Sequence, residues 1–377
     1  MEFSFTESQD MLKKMARDFL ENECPKTLVR QMLDDEKGYL PELWKKMSGL
    51  GWLGLILPVE YQGAGGSFMD MAVLLEEMGR ALLPGPFLVS TVMSGTYLAE
   101  TGNEKQKKDI LPRIGNGNLI VTVALNEPGT DEYDIGASTM NAVVSKDGYV
   151  INGTRLFVPF ANVADYILCP VKIENSEEYG GLTTFIINTQ ARGVSFNKLS
   201  TMSGDSQFEV VFDNLAVGND DIVGESGQAL PQIEKMLQRA TVALCLEMLG
   251  GAQKVLEMTV EYSKVRIQFG RPIGSMQALQ HHCANMDVSI EATRSLVYEA
   301  AWRISQGIPC AEEVSMAKSF ASECYTMVTQ LGLQIHGGVG FMEDHDLPLY
   351  YRRAKALEVM MGDPDTHRDI VAGMLLD

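Results

Sequence analysis

The spacing of apolar residues changes twice along this chain, and that change restricts the fold more than any single motif does. From Thr6 to about Thr122 apolar side chains recur three to four residues apart, as in Met11, Met15, Phe19 and Leu20 after Thr6-Glu-Ser-Gln, the period of an amphipathic helix. A further helix is read from Phe68 to Ala81, stopped by Pro84-Gly85-Pro86. Between about Val121 and Leu230 the period falls towards two. Val150-Ile-Asn-Gly-Thr-Arg-Leu-Phe-Val, Tyr166-Ile-Leu-Cys-Pro-Val, Thr183-Thr-Phe-Ile-Ile and Phe208-Glu-Val-Val-Phe are short β-rich runs bounded by Gly, Asn and Asp. From Pro231 the helical period returns, with segments near 232–267, 275–305, 310–336 and 345–376. Their breaks are Gly270-Arg-Pro-Ile-Gly, Gln306-Gly-Ile-Pro and His336-Gly-Gly-Val-Gly, and the last helices are long enough to pack as an antiparallel bundle. The expected organisation is an α+β multidomain chain: a helical domain over 1–120, a β domain over 121–230 and a helical bundle over 231–377.

Charge narrows the function classes. The 377 residues carry a net charge of −19, which argues against a nucleic-acid or anionic-membrane surface. The stretch 121–230 holds 15 Asp and Glu against 5 Lys and Arg, so the β domain has an acidic skin. Any phosphate-bearing ligand must be held by local cations or backbone N–H groups. The six cysteines, at 24, 169, 245, 283, 310 and 324, include no CxxC pair and suggest neither a zinc site nor a disulfide framework. MEFSFTESQD has neither a basic n-region nor an apolar h-region, and no apolar run approaches the roughly 20 residues of a membrane span, so a cytoplasmic protein is expected.

Three segments carry chemistry. Arg266-Ile-Gln-Phe-Gly-Arg-Pro-Ile-Gly ends one long helix and leads to Gln277-Ala-Leu-Gln on the next; Gln334-Ile-His-Gly-Gly-Val-Gly-Phe and Arg352-Arg-Ala-Lys-Ala-Leu-Glu follow. An arginine at a helix end beside a glycine turn can bond a pyrophosphate, and a double glycine lets a backbone approach a ligand closely. The ordinary use of the first is a surface salt bridge, and of the second a helix cap.

In this order and spacing the segments resemble the acyl-CoA dehydrogenase family across almost the whole chain. Pro58-Val-Glu-Tyr-Gln-Gly-Ala-Gly-Gly resembles the family's N-domain loop, and Glu127-Pro-Gly its Glu-Pro-Gly flavin-side motif. The resemblance implies an N-terminal helical domain, a central β-barrel and a C-terminal four-helix bundle enclosing FAD and an acyl-CoA thioester, in a tetramer. It implies FAD contacts at Leu125 and Asn126, and at Phe157 and Val158 for the isoalloxazine ring. It places Arg266, Phe269, Ile273, Gln277, Gln334, Gly337 and Gly338 on the diphosphate and adenine side, across a subunit interface, with His336 a packing and flavin-side residue. Electron-transfer flavoprotein is the implied electron partner. The reaction needs a base for the α proton and a flavin N5 for the β hydrogen.

The chain departs from the family pattern on the flavin face and at the base. Asn126 stands where a Thr is common, and still has a donor for a flavin oxygen; Phe157-Val158-Pro159 replaces Trp-Ile-Thr or Trp-Ile-Ser, removing a hydroxyl and a backbone N–H. The turn Gly129-Thr-Asp-Glu-Tyr-Asp134 is acidic and a residue longer than the usual Gly-Ser-Asp. Met361 takes the place of the usual Glu, and Ala240 the alternative base position. Glu247 follows Ala240 by seven residues, on nearly the same helix face about 10.5 Å along, in an apolar wall that suits a raised pKa; its ordinary role would be a cap or ion pair. Asp363 and Asp365 read as caps of the last helix. His281-His282 has no acidic partner at helical spacing, so no metal site is expected.

Three readings remain open on the residues: a supporting subunit of a heteromeric, two-plus-two dehydrogenase whose homologous partner subunit carries the base; a homotetramer using Glu247; and a non-redox acyl-CoA lyase or hydratase, or an interaction subunit without chemistry.

Overall fold

The computed structural model describes residues 5–129, 136, 138–174 and 181–376, so the acidic turn expected at 130–134 lies outside the described residues. The chain forms two compact units, one from 1–30, 68–83 and 241–377, the other from 31–67 and 84–240.

The second unit carries the expected β structure. Strands β1 (Val121–Val123), β2 (Asn141–Ser145), β3 (Gly148–Pro159), β4 (Tyr166–Ile173), β5 (Leu182–Asn188), β6 (Val194–Leu199), β7 (Gln207–Val217) and β8 (Ile222–Val223) form one eight-stranded sheet ordered β6-β7-β3-β2-β4-β5-β8, with β1 added parallel to β4. Inward side chains, among them Ile151, Val158, Phe185, Val210 and Phe212, gather in one core. The β3–β7 register shifts between Arg155 and Val158, and Phe157 in that bulge has φ +53. A β-bulge turns a side chain off the regular alternation, and Phe157 is accordingly 54% exposed between buried Arg155 and buried Val158. Helices α3 (Pro41–Gly49), α5 (Thr96–Thr101) and α6 (Glu104–Gly115), a buried π-helical stretch Phe87–Gly95 and the start of α7 (Leu230–Val265) belong to the same unit.

The first unit is helical: α1 (Glu7–Glu23), the start of α2 (Lys26–Asp34), α4 (Phe68–Ala81), most of α7, α8 (Gln277–Gln306), α9 (Ala311–His336), α10 (Leu347–Val359) and α11 (Pro364–Leu376). Thr6 opens α1 through a reciprocal cap, its hydroxyl accepting from Gln9 N at 3.3 Å while Gln9 Oε1 accepts from Thr6 N at 3.1 Å. Glu76 of α4 is buried and ties three helices together, accepting from Lys13 (3.3 Å), Arg294 (2.6 Å) and Tyr298 (2.5 Å). Where α4 meets α7 the backbones nearly touch: a Cβ at Gly250 would stand 1.8 Å from Glu76 O, and one at Gly79 2.1 Å from Glu247 O. No helix among the described residues is long and apolar enough to cross a membrane.

The segment read as one helix over 345–376 is two. Met361 (φ +59) and Gly362 (φ +89) leave the helical region, and Asp363 caps α11 by accepting from Thr366 N at 2.8 Å. This turn is pinned from α9. The ammonium of Lys318, fully buried, donates to Glu358 O (2.9 Å), Gly362 O (2.8 Å) and Ser322 Oγ (3.1 Å).

Candidate functional site

In the β-sheet unit, Leu125 and Asn126 lie on the segment after β1, and Leu156 N donates to Asn126 O at 2.9 Å, so this segment runs beside the strand that bears Phe157. The anchor beneath both is an ion pair, Arg155 Nη1 to Glu127 Oε1 at 2.8 Å, with both side chains almost fully buried. Arg155 also donates to the carbonyls of Leu125 and Pro170. Glu127 accepts from Thr139 N (3.0 Å), Thr139 Oγ1 (2.8 Å), Met140 N (3.2 Å) and the Ser138 hydroxyl. Of the two expected ring contacts, Phe157 presents its side chain outward. Val158 sends its own into the core, and its backbone pairs with Phe208 of β7.

Burial by itself would raise the Glu127 carboxyl, but the hydrogen bonds from Ser138 and Thr139 and the Arg155 charge outweigh it and bring the pKa down to about 2. A folded-state pKa below the unfolded one stabilises the fold at pH above the ordinary 4.5, and that contribution fades as pH falls from 4.5 towards 2. Acid titration followed by circular dichroism should therefore show the wild type losing stability across this window. Glu127→Gln should flatten the dependence, and an unchanged slope would remove Glu127 as its source.

In the helical unit, Arg266, Phe269, Ile273, Gly337 and Gly338 line one groove of about 600 Å³ together with Tyr262, His336 and Met342. The hairpin β9 (Ile267–Gln268) and β10 (Arg271–Pro272) turns through Phe269 (φ +51) and Gly270 (φ +77), the two positive φ values of a type I′ turn, which holds Phe269 at the tip, 91% exposed. The Arg266 side chain is exposed and, among the described residues, has no ion-pair partner, so the salt bridge that is the common use of such an arginine is not made. Neither Gly337 nor Gly338 has an atom within 4 Å of where a Cβ would stand, leaving backbone open to a ligand. His336 stacks on Tyr262 with ring centroids 4.2 Å apart and bonds Gly332 O at 2.8 Å through Nδ1. Gln277 at the start of α8 and Gln334 in the last turn of α9 are exposed but outside the groove lining. An open cation, an uncovered double glycine and an aromatic floor suit the diphosphate and adenine of a dinucleotide.

The base positions are less complete. Met361 offers a thioether in the pinned turn, and Ala240 is fully buried. Glu247 on α7 faces Arg353 of α10 at 4.0 Å, with 18% of its side chain exposed. Burial pushes its carboxyl up to about 6 against the pull of Arg353. Over Gly251, one turn on, lies the buried Tyr325 hydroxyl, 2.4 Å from where a Cβ would stand. Glu247 is not among the residues lining the groove.

Arg155 and Lys318 were not among the residues expected to act. A charged residue at an inward position of the run Val150–Val158 was the available signal for Arg155. A lysine amid α9's small and apolar neighbours was the signal for Lys318.

Family models match nearly the whole chain: "Acyl-CoA dehydrogenase, N-terminal domain" over residues 6–118, "middle domain" over 122–215 and "C-terminal domain" over 227–376. The chain is 33% identical over 377 residues to the 3-(aryl)acrylate reductase of Clostridium sporogenes, covering 99% of both. It superposes with TM-score 0.91 and 30% identity, over 100% of each chain, on a chain of the structure reported as "Electron transferring flavoprotein of Acidaminococcus fermentans: Towards a mechanism of flavin-based electron bifurcation". It also superposes with TM-score 0.91 and 26% identity on a chain of the ChsE4-ChsE5 complex from Mycobacterium tuberculosis, over 100% of this chain and 99% of that one.

Proposed function

We propose, for a chain that belongs to the acyl-CoA dehydrogenase family and is an FAD-dependent oxidoreductase of that type, that it works as one subunit of a heteromeric enzyme acting on an acyl-CoA thioester. The carrying observation is the mismatch between its two halves. The groove with Arg266, Gly337 and Gly338 is fit to hold a dinucleotide, while Met361 and Ala240 leave both usual base positions without a proton acceptor. The homologous partner subunit supplies the base. A two-component relative, the ChsE4-ChsE5 complex, supports this reading, and the likeness to the electron transferring flavoprotein structure supports electron-transfer flavoprotein as redox partner.

When bound, FAD supplies the acceptor for the β hydrogen as hydride. This chain's residues bind and orient: Arg266 neutralises phosphate charge, Gly337 and Gly338 offer backbone at close range, and Asn126 and Phe157 border the ring side. The acyl-CoA thioester is the substrate. The same transfers run in reverse constitute a reductase, the activity named for the Clostridium relative.

The test is expression of the chain alone and with its homologous partner subunit. Acyl-CoA-dependent reduction of bound flavin is expected only for the pair. Full flavin loading and turnover by the chain alone would reject the heteromeric reading.

Glu247 supports a second reading, a homotetramer with its own base, because its carboxyl is raised to about 6. In that case Glu247→Gln should lower kcat by about 10²–10⁴ while sparing flavin absorbance, and the wild-type rate should rise with pH through about 6 as the carboxylate forms. Unchanged turnover in the variant would leave Glu247 as an ion-pair partner of Arg353 alone.

A further inference from the structure

We infer that Arg155 is a positioning residue for the flavin face, setting through Glu127 and the Leu125 carbonyl the depth at which both the 125–127 segment and the Phe157 bulge meet the ring. This rests on the reading of Leu125, Asn126, Phe157 and Val158 as the ring side. The geometry joins the two segments at one guanidinium. Nη1 bonds Leu125 O and Glu127 Oε1, and Nη2 bonds Pro170 O and the Ser138 hydroxyl at 3.3 Å. The next residue along β3, Leu156, holds Asn126 O, and the bulge that exposes Phe157 begins there.

A merely structural role accounts poorly for this arrangement. Well-packed apolar residues often replace a buried ion pair at no loss of stability. What they cannot replace is a planar fork that reaches carbonyls on two separate segments while its charge is matched by a carboxylate. Glu127 extends the same control to 138–140 through its bonds to Thr139 and Met140, on the far side of the acidic turn. The ring-facing residues have changed relative to the family pattern, and this buried pair bonds the segments that carry them.

The test uses the full chain with its partner subunit. Arg155→Lys keeps the charge beside Glu127, but one nitrogen cannot span the carbonyls of Leu125 and Pro170. It should bind FAD at least about tenfold more weakly and blur the vibronic structure of the visible flavin band, with the far-ultraviolet dichroism of the wild type. Wild-type affinity and band shape in folded Arg155→Lys would overturn the positioning role. If Arg155→Lys does not fold, the doubly apolar Arg155→Met/Glu127→Leu variant decides by the same two readouts: a changed affinity and band support the role, and wild-type values overturn it. A wild-type complex that takes up no FAD would instead sink the underlying reading of the flavin face, so the two failures are told apart.

Discussion

On the heteromeric reading proposed above, replacing Met361 with Glu should give this chain, without any partner subunit, an acyl-CoA-dependent reduction of its flavin well above that of the wild-type chain alone. The turn that carries residue 361 is already rigid. Lys318 fastens the carbonyls of Glu358 and Gly362, and His367 Nε2 donates to Met361 O at 2.8 Å. A carboxylate placed there needs no new backbone arrangement, since the turn with positive φ at 361 and 362 is held by the Lys318 and His367 side chains bonding its carbonyls, not by the thioether. A positioned general base contributes about 10²–10⁴-fold, so anaerobic bleaching by a series of acyl-CoA thioesters should rise by that order. Flavin-loaded, folded Met361→Glu with no gain on any thioester would show that the missing base is not what separates this chain from a self-sufficient enzyme.

Gly250→Ala should be among the most damaging single-methyl changes in the molecule. The added Cβ would stand 1.8 Å from Glu76 O and 2.8 Å from Arg80 N, both backbone atoms that cannot swing aside. Overpacking of a core costs about 1–3 kcal/mol where side chains adjust, and here the helices α4 and α7 must themselves part, which puts the loss at the upper end or beyond. Separation would also pull at Glu76 and its bonds to Lys13, Arg294 and Tyr298. Gly373→Ala is the matched control. It lies in α11 with nothing within 4 Å, so the same methyl should be neutral or stabilise by up to about 1 kcal/mol through helix propensity. Equal melting temperatures for the two variants would contradict the close approach of α4 and α7.

Much of the fold was legible because its signals are local. Apolar spacing located the β-rich stretch, and α4 runs from Phe68 to Ala81 as the spacing and the Pro84-Gly85-Pro86 stop imply. The break near 361 was half legible: Asp363 was readable as a cap, yet the periodic residues on either side masked two helices as one segment. The bulge at Phe157 was not legible, since it depends on how β3 registers against β7, two strands about fifty residues apart. Nor was the Arg155–Glu127 pair, which forms only when the segment after β1 is laid beside β3. The groove residues were recognisable as a set of motifs, whereas the exposed side chain of Arg266 and the uncovered double glycine are facts of packing.

The strand order has a consequence for synthesis. β1 pairs with β4 and not with its neighbours in sequence, and β2 also takes β4 as its parallel partner, so neither bond set can form until Tyr166–Ile173 has left the ribosome. Until then a nascent chain displays Val121–Val123 as an unmatched edge, the kind of surface on which polypeptides associate wrongly. Residues 121–165, which emerge before that partner, carry six Asp and Glu against two Lys and Arg, so chains emerging from neighbouring ribosomes are like-charged and repel one another while the edge waits.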